Sequence, residues 1–190
     1  ERVTFATGGQ VTQLSGDQFG GAVALIGSSL YQIGVNGGMF AIASDVGAPG
    51  FSIHPNGALY FSRVSETEVT RLASIDIGLG QGRSIDLPGV QTLGMPTVMP
   101  DGSVALPYID DGFRLLIARP NGVDSLYYVI DPQYPVTSFR QPYKAIPDGT
   151  GGYFVAYDEN SVYTYNAMLA RVDSSGTPPQ TVAIIGGGQH

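Results

Sequence analysis

Apolar residues along this chain come in short blocks set between turn-forming residues, and no block keeps a 3.6-residue period long enough for a helix. Ala22 to Ile26, Leu30 to Ile33 and Met39 to Ala43 are three such blocks, separated by Gly27-Ser28-Ser29 and Asn36-Gly37-Gly38. Asn-Gly between two apolar runs is a hairpin signal, because both residues accept the positive φ that tight turns need. Arg2 to Ala6 alternates and predicts a short strand, whereas Ser15 to Gly21 reads as loop. The pattern predicts a protein of many short strands, with under about a tenth of its residues helical.

One turn recurs. Met99-Pro100-Asp101-Gly102 lies between two apolar blocks, and Pro55-Asn56-Gly57 and Pro147-Asp148-Gly149 repeat it. Proline presets φ, Asp or Asn bonds its own backbone, and Gly supplies φ > 0. The prolines stand at 55, 100 and 147, in steps of 45 and 47 residues, and such a period marks a repeat architecture. The third strands expected in each copy also match: Met39 to Asp45, Arg71 to Asp76, Arg114 to Arg119 and Ala167 to Asp173. The first copy then reads as degenerate, with Gly27-Ser28-Ser29 in the place of the turn. Arg83 to Leu87 and Ser125 to Ile130 offer fourth strands to copies two and three, while the link Asp45 to Gly50 is too short for one. The repeats fall at approximately 22–50, 51–95, 96–142 and 143–185, within a single expected domain over 1–190.

Units of this length with two or three hairpins each resemble blades of the β-propeller superfamily, the broad group that includes PQQ-like, NHL-like and TolB-like repeats. The resemblance implies an all-β, propeller-like fold, either a four-bladed ring or an arc of a larger propeller. The chain has no Trp, so the WD-repeat signature is absent, and no kelch or sialidase box occurs. The alternative architecture is a β-sandwich, whose strands are equally short.

Composition narrows the functions. The net charge of −7 argues against binding a phosphate backbone. With no cysteine, disulfides and thiolate sites are excluded. No apolar run is long enough to span a bilayer as a helix.

Candidate chemistry is thin. His54 and His190 are too isolated for a zinc site, and His54 beside a turn proline reads as a strand-end residue. Neither a Gly-x-Ser-x-Gly nor a nucleophile–base pair is evident. Gly78-Leu79-Gly80-Gln81-Gly82 lacks the helix and the Lys of a phosphate loop. No catalytic residue and no cofactor is therefore expected. Tyrosines crowd the C-terminal half, and the irregular stretch Pro132 to Pro142 is the best contact loop, with Tyr134, Phe139, Arg140 and Tyr143 as binding residues. The turns after the second strands carry Glu66, Glu68, Asp110, Asp111, Asp158 and Glu159. These are either ordinary solvated tips or an acidic rim for a basic partner or Ca²⁺.

The expected function is a non-enzymatic interaction or structural module of an extracellular, cell-surface or virion assembly, meeting a protein partner or copies of itself. A sensor domain for a small ligand or glycan, and a fragment of a propeller enzyme, are the alternatives.

Overall fold

The computed structural model describes residues 9–54, 57–64, 70–76, 82–120, 122, 124–129, 139–160, 164–173 and 180–189. They form strands and turns, with no helix among them. The strand expected at Arg2 to Ala6 lies outside the described residues. The chain divides into two compact units, Glu1–Leu87 and Pro88–His190.

Unit 1 holds two four-stranded sheets, each an antiparallel meander of consecutive strands. Sheet 1 comprises β1 (Val11–Gly16), β2 (Ala22–Ile26), β3 (Ser29–Ile33) and β4 (Met39–Ala43). Sheet 2 comprises β5 (Val46–Ile53), β6 (Ala58–Val64), β7 (Thr70–Asp76) and β8 (Gly82–Leu87). The link Asp45 to Gly50 adds no fourth strand to the first copy, as expected: Val46 already opens β5, the first strand of sheet 2. One expectation changes here. The first copy takes its extra strand from β1, ahead of Ala22, and part of the expected loop Ser15 to Gly21 belongs to it. The phase of the repeat therefore moves by one strand: the turn of sheet 1 that matches Pro-Asp-Gly is 17–21, not Gly27-Ser28-Ser29.

Burial explains why the two sheets stay together. Val23, Leu25 and Leu30 of sheet 1 pack with Val46, Phe51, Leu59 and Phe61 of sheet 2 in one core. Gln13 ties the edges as well: its side-chain amide donates to the Phe51 carbonyl at 2.8 Å, and its oxygen accepts from the Phe51 N–H at 2.9 Å.

Unit 2 holds the other two sheets. Sheet 3 follows the path β10 (Thr97–Val98), β11 (Val104–Ile109), β12 (Phe113–Ala118) and β13 (Ser125–Tyr128), with β9 (Thr92–Leu93) also pairing β11. Pro107 explains that split. Its carbonyl accepts from Gly94 N–H at 2.7 Å, so its missing N–H faces the same side. The ladder breaks there, leaving β10 opposite Val104 and Ala105 and β9 opposite Tyr108 and Ile109. Sheet 4 comprises β14 (Phe139–Pro147), β15 (Tyr153–Asn160), β16 (Thr164–Val172) and β17 (Gln180–Gln189). Phe113, Leu115 and Ile117 pack with Val155, Tyr157 and Ala170 in the core of this unit, and Phe113 meets the Tyr157 ring edge-on at 5.0 Å.

Candidate functional site

The acidic tip between β11 and β12 is neutralised from its own hairpin. Asp110 accepts from Gly112 N–H at 2.9 Å and from Arg114 Nε at 2.8 Å, and Arg114 Nη2 bonds Asp111. The guanidinium also lies over the Tyr128 ring, 5.0 Å from its centroid. The Asp111 hydrogen bond holds Arg114 above its ordinary basicity, and Arg114 in turn holds the Asp111 carboxyl below the usual range.

Asp158 and Glu159 were expected at a tip, but β15 runs through them to Asn160. Arg140 stands directly opposite Glu159 in the β14–β15 ladder, and its Nε and Nη2 both reach Glu159 Oε1, at 2.9 and 2.6 Å. The Arg140 side chain is 9% exposed, and its Nη1 is buried without a hydrogen-bond partner. The β14 register shifts between Pro142 and Lys144, and the Tyr143 in that bulge donates its hydroxyl to Asp158, which is 4% exposed. Two of the expected binding residues are thus joined to two of the expected acidic ones. The ring of Tyr143 remains half exposed.

Glu66, Glu68 and Tyr134 lie outside the described residues, as do Gly78 to Gln81. Phe139 opens β14, and its side chain is likewise outside the description. His54 follows β5 as a turn residue: its N–H donates to the Ala58 carbonyl and its own carbonyl accepts from Gly57 N–H, both at 2.8 Å. Among the described residues no group of three or more His, Cys, Asp or Glu side chains converges to hold a metal ion.

A more ordered polar cluster stands at Asp148, whose turn the sequence marked but whose partner Arg171 it did not. Its carboxylate accepts from the N–H groups of Thr150 and Gly152 at 2.7 and 2.9 Å and from Arg171 Nε at 2.8 Å. The Thr150 N–H leads these in holding the Asp148 carboxyl well below the usual carboxylate range. Asp17 repeats the geometry, accepting from Phe19 and Gly21 N–H at 2.9 and 2.7 Å. A readable signal existed: Asp17-Gln18-Phe19-Gly20-Gly21 and Asp148-Gly149-Thr150-Gly151-Gly152 share Asp-x-x-Gly-Gly. Each of these acidic groups fixes a hairpin. Such an arrangement holds strands in register and presents surfaces.

No family model matches the sequence, and the search of curated proteins found no relative. Two crystal structures of the extracellular domain of BT4673 from B. thetaiotaomicron are similar at low identity. In one, where that protein is named a hybrid two component system, identity is 11% with 98% of this chain and 35% of that chain covered, at a TM-score of 0.39. In the other, named a one component system, the figures are 12%, 96%, 35% and 0.38. The chain thus spans about a third of the length of these structures.

Proposed function

We propose that the chain is a non-enzymatic interaction module built from propeller-type blades, one sheet to a blade, working in an extracellular, cell-surface or virion assembly. The observation that carries the reading is where apolar surface remains uncovered. Phe19 and Val35 are exposed in turns of sheet 1; the other exposed large hydrophobics, Val11, Leu14, Phe40, Leu126, Tyr128, Tyr143, Ile146 and Val182, all lie on the first or last strand of their sheets. No large hydrophobic residue of an inner strand is exposed among the described residues. Apolar side chains gathered on outer strands are what a contact between blades, or between copies of a module, uses.

The test is self-association. Light scattering against concentration should show assembly of the wild-type chain. Phe40→Glu and Leu126→Glu should each weaken it without changing the circular dichroism spectrum. A wild-type chain that stays monomeric at every concentration and does not enhance the fluorescence of a hydrophobic dye would sink the reading.

A further inference from the structure

Unit 1 contains an open cavity of about 530 Å³ between the last strand of sheet 1, β4, and the last two strands of sheet 2, β7 and β8. It lies beside the core, at a place where the facing side chains become small. Ala43 on one wall and Ala73 and Gly82 on the other leave a gap that bulkier residues would close. Gly82 cannot grow, because a Cβ there would stand 2.6 Å from the Ser74 carbonyl oxygen.

The lining combines an apolar floor with hydroxyls. Ile42, Phe61 and Ile75 give the floor, and Ser29, Ser44 and Ser84 stand around it. The Ser44 hydroxyl donates to Asp45 Oδ2 at 2.8 Å, which leaves its oxygen free to accept from an occupant. Asp45, at the passage from β4 to β5, has φ 59° and is the one non-glycine residue with positive φ among those described. A costly backbone of this kind marks the junction that sets Ser44 in place.

Among the described residues no cationic side chain faces the cavity. Arg83 belongs to its wall, but the register Tyr60–Ser74–Arg83 puts its side chain on the opposite face of sheet 2 from Phe61, Ala73 and Ser84. There its charge acts on Tyr60. An anionic occupant would stand near the Asp45 carboxylate with no such cation to pair it. A wholly apolar one would strip the serine hydroxyls of water and return nothing.

We propose that this cavity binds a neutral saccharide, whose C–H face covers Ala73 and Ile75 while its hydroxyls bond Ser44 and Ser84. The volume suits a small molecule of this class. The site goes beyond the interaction-module reading and does not depend on it, since it uses none of the exposed outer-strand residues.

Backbone amide spectra of the full chain can be recorded against glucose, N-acetylglucosamine, lactose and cellobiose, up to about 50 mM. Glucuronate and cyclohexanol serve as charged and apolar controls. At least one neutral sugar should shift the amides of Ser29, Ser44, Ala73 and Ser84. Ser84→Ala, an exposed substitution that leaves the core intact, should weaken that sugar by about 3- to 10-fold. Ala73→Phe, filling the cavity, should abolish binding. The proposal is overturned if no sugar moves these amides, if a control moves them as strongly, or if binding survives Ser84→Ala unchanged. Loss of self-association leaves these readouts intact, so the two readings fail separately.

Discussion

The first hairpins of sheet 1 and sheet 4 reach one backbone geometry with different side chains. In both, the Asp N–H donates to the carbonyl four residues on, from Asp17 to Gly21 and from Asp148 to Gly152, at 3.0 Å. In both, the Asp carboxylate caps the turn. In both, a residue of the third strand comes back to it, but that residue is Gln32 in sheet 1 and Arg171 in sheet 4. The registers Val23–Gln32 and Phe154–Arg171 place the two at equivalent positions, one residue in from the pairs Ala22–Ile33 and Tyr153–Val172. Asp17 therefore has a neutral clasp at 3.3 Å and Asp148 a charged one at 2.6 Å. The turn is specified by the Asp and the last Gly, and the clasp is an exchangeable addition.

The last glycine is where the equivalence is easiest to break. A Cβ on Gly21 would lie 2.3 Å from the Ile33 carbonyl oxygen, and one on Gly152 would lie 2.7 Å from that of Val172. Both obstacles are backbone, which cannot rotate away. Gly21→Ala and Gly152→Ala should each cost roughly 1–3 kcal/mol, read by denaturant unfolding. A variant of normal stability would show that its turn does not need the close approach.

Much of this was open to reading, and the rest was hidden for definite reasons. Pro-Asp-Gly at 100–102 and 147–149 marked real turns, and the apolar blocks marked strands without helix. The first copy was read one strand late because Asp17 has no proline before it. β1 also offers no clean alternation: Val11 and Leu14 are its apolar residues, and both are exposed. Candidate acids were legible as carboxylates, but not as partners. Arg140 and Glu159 are 19 residues apart, and only the β14–β15 register joins them. The cavity beside Ala73 depends on small residues of two sheets facing one another, which no single stretch of sequence displays.

The next effect probes the Asp148 turn by acid. The folded Asp148 carboxyl titrates below its unfolded value of about 3.9. Its contribution is therefore fully present above that value and is lost as pH falls through the folded pKa, because the unfolded chain binds the proton more readily there. Asp148→Ala should lower the melting temperature at pH 7 and flatten the fall in stability below about pH 4. Melting curves of wild type and variant that stay parallel through this range would remove Asp148 from the account of acid unfolding.

The smallest expected effect tests whether the clasp can be moved. Gln32→Arg would place a guanidinium beside Asp17 where Arg171 stands beside Asp148. The position is already chosen by register, and Gln32 Nε2 already reaches Asp17 Oδ2. The guanidinium adds charge and a fork of donors to a contact that exists, so little is spent on new ordering. The site is only partly buried, and pairs of this kind contribute up to about 1 kcal/mol and weaken with salt. Gln32→Arg should therefore raise stability slightly at pH 7 and low salt, and lose the gain at high salt. Arg171→Gln should do the reverse. If Gln32→Arg destabilises while Arg171→Gln is silent, the two third-strand positions are not equivalent, and the likeness of the hairpins ends at the turn.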